Sequence, residues 1–272
     1  MKVVYDVLDP TGNTTILVRT PVPEAEQPAV AASLMKMEPE TEQVGFLMTG
    51  SKRGQDGKGN PVSDYDIDLR MAGGEFCGNA SMCAAVIAAI EAGQSSLKVN
   101  LRVSGASGRV GAEVARLPCG DWTGTVDMPK PMAIENVSLP GAGSLPVVRF
   151  EGISHVILQQ EMPREKAEEL APLWCGILGA DAIGLLFLDS KVSTLTPLVY
   201  VPAAGTLCWE RSCASGTTAV CAYLAEKNAA PLSINLRQPG GELRAEASID
   251  GKVRLSGKVR ILMEKETDIM LN

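Results

Sequence analysis

Cys77-Gly78-Asn79-Ala80-Ser81-Met82-Cys83-Ala84-Ala85-Val86-Ile87-Ala88-Ala89 and Cys213-Ala214-Ser215-Gly216-Thr217-Thr218-Ala219-Val220-Cys221-Ala222-Tyr223-Leu224-Ala225 follow one pattern. In each, a cysteine precedes small and polar residues, and an Ala-rich apolar run follows. The match continues downstream, where Val99-Asn100-Leu101-Arg102 answers Ile234-Asn235-Leu236-Arg237. After each comes a glycine turn, an alternating segment and a further strand, from Gly108 and Gly124 in the first copy and from Gly241 and Gly257 in the second. Two copies this far apart indicate duplicated domains rather than a solenoid of short repeats.

Alternation over 97–102 and 252–262 predicts strands, and the Ala-rich stretches 80–92 and 217–227 predict helices that stop near Gly93 and Asn228. A helix that is apolar all round has to be buried. The expected fold is therefore α+β, with two pseudo-symmetric domains of antiparallel strands, each wrapped around one central helix. Pro129-Lys130-Pro131 suits the crossing between them, which places an N-terminal domain at 1–125 carrying Cys77 and a C-terminal domain at 126–261 carrying Cys213.

Composition narrows the function. The chain has 272 residues, 45% of them hydrophobic and 21% charged, which is enough to build two cores. A net charge of −7 without a basic cluster argues against nucleic acid and anionic membranes as partners. No apolar run approaches the roughly 20 residues that cross a bilayer. The opening Met1–Val7 reads as a strand rather than a leader peptide. Seven cysteines in spacings that suggest no disulfide framework fit a reducing cytoplasm. With one histidine and no Cys-x-x-Cys, no metal site is expected.

Cys77 and Cys213 stand just before the first turn of each buried helix. Backbone N–H groups there lack intrahelical partners and carry the positive end of the helix dipole. That environment is expected to lower a thiol's pKa. The N–H groups of Gly78, Asn79, Ala214, Ser215 and Gly216 would hold a carboxylate. Racemisation at Cα needs one group to remove a proton and another, on the opposite face, to return one. A thiolate and a thiol from two related domains supply such a pair, with no cofactor and an amino acid as the small-molecule partner. Cys83 and Cys221 read as core, and packing is the default for Cys119, Cys175 and Cys208. Glu210 is open to three readings: orienting a loop, binding a substrate amine, or facing solvent. Arg70 is either a substrate contact or a solvated strand-end charge. Asn13, in a Gly-Asn turn, is by itself a turn former, and His155, in an apolar strand, a structural residue.

Gly73-Gly74-Glu75-Phe76-Cys77-Gly78-Asn79-Ala80 resembles the first cysteine motif of the diaminopimelate epimerase-like family, and Trp209-Glu210-Arg211-Ser212-Cys213-Ala214-Ser215-Gly216-Thr217 resembles the second. The resemblance spans nearly the whole chain. It implies that family's two-domain fold, with residues 262–272 returning to the first domain, and it leaves room for a homodimer. Gly12-Asn13-Thr14-Thr15 is similar to the family's Gly-Asn-Asp-Phe, which implies that Asn13 contacts substrate. The segment Glu42-Gln43-Val44-Gly45-Phe46 implies the same for Gln43, and the position of His155 links it to the site.

The departures are equally informative. Gly152-Ile153-Ser154-His155 replaces Gly-Asn-Pro-His, Ala203–Glu210 replaces the run Glu-Arg-Gly-x-Gly-Glu-Thr, and Arg70-Met71-Ala72 stands where the family has Asn and Asp. In the family those residues help hold the far end of a long diacidic substrate. The cysteine motifs look most like those of the histidine racemases that feed metallophore synthesis. Diaminopimelate or another amino acid is the alternative substrate. A phenazine-biosynthesis-type isomerase and a non-catalytic amino-acid binder are the competing readings.

Overall fold

Residues 78–91 place almost no polar side chain at any angle around a helix, and their only stable location is the inside of a sheet. The computed structural model, which describes residues 1–48 and 67–270, shows how this is done. The chain divides into two compact units, Met1–Asp127 with Ser256–Asn272, and Met128–Leu255. The division falls two residues beyond the expected boundary, and the return to the first unit begins at Ser256 rather than at 262.

The first unit runs β1 (Lys2–Pro10), β2 (Thr15–Val18), α1 (Gln27–Met37), β3 (Gln43–Leu47), β4 (Ile67–Met71), α2 (Gly78–Glu91), β5 (Ser96–Val103), β6 (Val110–Arg116) and β7 (Trp122–Met128). The second runs β8 (Ala133–Leu139), β9 (Gly143–Phe150), β10 (Ile153–Leu158), α3 (Arg164–Leu178), β11 (Ile183–Asp189), β12 (Thr194–Val201), β13 (Thr206–Trp209), α4 (Ala214–Asn228), β14 (Leu232–Gln238) and β15 (Gly241–Ala247). The last strand, β16 (Val253–Asp268), begins in the second unit and passes into the first.

In the first unit β1 to β7 are neighbours in sequence order, β16 follows β7, and β16 pairs back onto β1 with Lys2 opposite Asp268. The sheet is thus a closed ring, and a closed ring has no edge strand. Inside it α2 packs against β1, β2, β4, β5 and β6, with Ala80, Met82, Cys83, Ala85 and Val86 at zero exposure. Gly124 gives the helix room, since a Cβ there would meet the Met82 side chain at 2.9 Å. In the second unit α4 packs against β9, β10, β14 and β15, with Ala219, Val220 and Cys221 fully buried.

The sequence suggested antiparallel strands throughout, but some of the pairs are parallel. Going round the first unit, β1–β2, β3–β4 and β5–β6 are antiparallel, while β2–β3 and β4–β5 are parallel. The second repeats this order, with β9–β10, β11–β12 and β14–β15 antiparallel and β10–β11 and β12–β14 parallel. A parallel pair needs a crossover, and each crossover holds a helix: α1 and α3 on the first pair, α2 and α4 on the second. The duplication visible around the cysteines therefore extends to the whole topology. Among the described residues no helix is long and apolar enough to cross a membrane.

Candidate active site

Each cysteine motif folds into the same local structure. Cys77 is the N-cap of α2 with φ −132° and ψ 113°, and its Sγ accepts the backbone N–H of Ala80 at 3.4 Å. Cys213 is the N-cap of α4 with φ −120° and ψ 108°, and its Sγ accepts from Gly216 N at 3.4 Å. The sulfur takes the place usually filled by a Ser or Asp oxygen, which satisfies one of the four orphan donors at a helix start. A hydroxyl one turn on binds each cysteine's carbonyl, Ser81 Oγ to Cys77 O at 2.7 Å and Thr217 Oγ1 to Cys213 O at 2.8 Å. The first intrahelical bonds are Ser81 N to Cys77 O and Thr217 N to Cys213 O, both 3.0 Å. Gly78, Asn79, Ala214 and Ser215 thus lie ahead of the helical ladder.

In the first unit the loop before Cys77 is clamped from β5. Ser104 Oγ donates to Glu75 O and accepts from Met71 N, both at 2.9 Å. Gly105 lies against this loop with φ +70°, and a Cβ there would come within 2.3 Å of Phe76 N. The Cys77 thiol donates to Gln43 Oε1 at 3.0 Å. Gln43 Nε2 donates to Thr15 Oγ1 at 2.8 Å and to Asn13 Oδ1. Asn79 Nδ2 donates to the same Asn13 oxygen at 3.1 Å, and Asn13 Nδ2 to the Glu42 carboxylate. Four residues singled out from the sequence, Asn13, Gln43, Cys77 and Asn79, thus form one network. Asn13 reaches it because Thr11 and Gly12 adopt positive φ, 59° and 92°, in the turn between β1 and β2. Arg70 does not join the network; its guanidinium is ion-paired with Glu24 at 2.6 Å.

In the second unit Cys213 N donates to Gln238 Oε1 at 2.8 Å, and Gln238 Nε2 donates to Thr217 Oγ1 at 2.8 Å. The Cys213 sulfur lies 3.6 Å from Ser215 Oγ, which is 3.0 Å from His155 Nε2. His155 has zero exposure and stands one hydrogen bond behind Ser215. Glu210, the least defined of the sequence candidates, lies close enough to the Cys213 thiol for its charge to push that thiol up. It follows β13, which Trp209 anchors through Nε1–H to Glu168 at 2.7 Å and through Arg164, whose guanidinium sits 4.6 Å from the ring centre.

The thiols do not have the lowered pKa that their helix-start position suggested. Burial pushes Cys77 up to about 12, the charge of Glu75 adds to it, and the N–H of Ala80 only partly opposes it. Burial also raises Cys213 well above the ordinary thiol value, with Glu210 adding through its charge. Desolvation of a thiolate at these two positions outweighs the half-charge of a helix end. His155 is pushed down to about 3 by burial and is neutral. Of the other cysteines, Cys83, Cys175 and Cys221 are buried, whereas Cys119 and Cys208 are exposed and not packed as assumed. Gln238 and Glu42 were not singled out from the sequence. The signal for Gln238 was a polar residue where the matching strand of the first copy has Val103.

This fold is shared with known proteins. A predicted epimerase from Pseudomonas aeruginosa superposes with a TM-score of 0.71 at 17% identity, covering 98% of this chain and 99% of that one. Fold and relatives together define the protein as an isomerase of the racemase and epimerase class. More narrowly, the chain belongs to the family described as the histidine racemase CntK N-terminal domain, whose model it matches over residues 2–266. It is 31% identical over 276 residues to a histidine racemase of Fusobacterium nucleatum subsp. nucleatum, covering 95% of this chain and 96% of the relative. It is 27% identical over 252 residues to a histidine racemase of Staphylococcus aureus (strain Mu50), covering 88% and 86%.

Proposed function

We propose that the protein is a cofactor-independent histidine racemase in which Cys77 and Cys213 exchange protons with the substrate Cα. The observation that carries the chemistry is the duplicated cap: each unit presents one thiol at the start of its buried helix, held by the N–H three residues on. Histidine as the substrate rests on the family and on the relatives.

In the proposed reaction one cysteine, as thiolate, takes the Cα proton and becomes a thiol. The electron pair left on Cα delocalises into the carboxylate. The other cysteine's S–H then gives its proton to the opposite face of Cα and becomes the thiolate. The N–H groups of Gly78, Asn79, Ala214 and Ser215 hold the carboxylate as its charge grows, which is where pre-oriented donors lower a barrier most. Raised thiol pKa values have two consequences. Both sulfurs are protonated in the resting protein, and a thiolate, once formed, is a stronger base toward a weakly acidic Cα–H. The first proton is lost to solvent, and the charge of Glu210 opposes a thiolate at Cys213. Asn13 and Gln43 supply polar contacts beside Cys77. All seven cysteines are free, in keeping with a reducing compartment such as the cytoplasm.

The test is a panel of L-amino acids plus diaminopimelate, followed by chiral chromatography. Histidine alone is expected to approach equal amounts of the two enantiomers. Epimerisation of diaminopimelate with histidine untouched would contradict the substrate. Binding of an amino acid without turnover would contradict the reaction.

A further inference from the structure

His155 is a polar side chain at zero exposure whose Nδ1 has no hydrogen-bond partner. Across the parallel β10–β11 ladder it faces Gly184, and a Cβ on that residue would lie 2.2 Å from Nδ1. The ring is therefore seated on the bare backbone of β11, with Phe150 edge-on at 6.0 Å between centroids. Its other nitrogen, Nε2, reaches Ser215 Oγ at 3.0 Å, and that oxygen is 3.6 Å from Cys213 Sγ.

We infer that His155 is a positioning residue for Cys213: its Nε2–H donates to Ser215 Oγ and thereby turns the serine's own proton onto the cysteine sulfur. The tautomer follows from Nδ1. A buried N–H without an acceptor is among the rarest features of folded proteins, and a bare acceptor is better tolerated. The proton of the neutral ring accordingly belongs on Nε2. Ser215 Oγ then accepts from the imidazole and has one hydrogen left to give, with Cys213 Sγ in reach. In the opposite tautomer the hydroxyl would donate to the ring and present only lone pairs to the sulfur. The other groups at the thiol are the Gly216 N–H, which also donates to it, and the Glu210 carboxylate, which disfavours a second negative charge. Gln238 holds the backbone of Cys213. Ser215 O–H is thus the side-chain donor that offsets Glu210 when the thiolate forms. The inference rests on the reading of Cys213 as an acid–base group.

His155 is the chain's one histidine, so labelling with [15N]histidine reports a single imidazole in the intact protein. The expected spectrum places the proton on Nε2 from pH 5 to 8; a proton on Nδ1 overturns the inference. The second measurement is the pH dependence of iodoacetamide alkylation at Cys213, followed by peptide mass spectrometry. Ser215→Ala and His155→Phe should each raise its midpoint by about one pH unit, since a hydrogen bond to a charged group has that worth. The double variant should move it no further, and His155→Gln, whose amide can donate from a similar place, should stay near the wild type. A shift in Ser215→Ala but not in His155→Phe, additive shifts, or His155→Gln behaving as His155→Phe would overturn it. If His155→Phe does not fold, the tautomer decides. Neither measurement needs turnover, so undiminished racemisation by Cys213→Ser would remove the catalytic reading of Cys213 while leaving these results to judge the hydrogen-bond chain.

Discussion

Gln238→Leu removes a single side chain that ties Cys213 into the second unit, and its cost can be worked from the structure. The glutamine is buried, accepts Cys213 N–H at 2.8 Å and donates to Thr217 Oγ1 at 2.8 Å. Leucine fills nearly the same volume, so the loss is of hydrogen bonds rather than of packing. The Thr217 hydroxyl keeps its bond to Cys213 O and loses only an incoming donor. The Cys213 N–H is left buried and unpaired, a cost of roughly 1–3 kcal/mol, with about 1 kcal/mol more for the second bond. A total of about 2–4 kcal/mol corresponds to roughly 5–12 °C in Tm for a chain of this size. Racemisation should fall much further than stability, because a sulfur displaced by about 1 Å at a reacting centre can cost on the order of 100-fold in rate. Thermal unfolding followed by circular dichroism and chiral assay of turnover measure the two effects. A Tm within a degree of wild type and unchanged turnover would refute the idea that this glutamine fixes the cap.

Gly216→Ala would place a Cβ 2.7 Å from Leu186 Cδ2 and 3.2 Å from Cys213 Sγ. It should cost about 1–3 kcal/mol by overpacking and depress turnover by moving the thiol, both measurable by urea unfolding and chiral assay. Gly184→Ala should destabilise the second unit by forcing a methyl into the His155 ring, with a lowered urea midpoint as the readout. Stability should also fall in alkali. Burial raises Cys221 to about 12 from 9.0, so its contribution is fully present below pH 9 and is lost as pH rises toward 12. Between pH 8 and 10 the wild type should lose about 1.4 kcal/mol more than Cys221→Ala; equal losses would contradict a protonated, buried thiol.

The elements carrying chemistry were legible because their sequences are extreme. A helix with no polar face can only be internal, and a cysteine at the head of each such helix marked equivalent points in two copies. The caps and both helix starts follow from that pattern. The crossover helices α1 and α3 were missed, since neither belongs to the matched stretches and α3 carries Pro172 in its interior. Without them the parallel pairs could not be foreseen. The direction of the thiol pKa shift was misjudged because the helix end is visible in sequence, whereas the burial opposing it is set by strands far away in the chain. For the same reason Gln238, 25 residues from Cys213, gave almost no signal. Asn13, Gln43 and Asn79 were named as separate contacts; their mutual hydrogen bonding emerges only when β1, β2, β3 and α2 are folded together.

The central claim is that two thiols divide the proton transfer at Cα. Its most direct test is the reaction of L-histidine in deuterated water with wild type, Cys77→Ser and Cys213→Ser, each confirmed as folded by circular dichroism. The account predicts that wild type gives D-histidine carrying deuterium at Cα and that each single serine variant loses racemisation. Undiminished racemisation in both variants would contradict it.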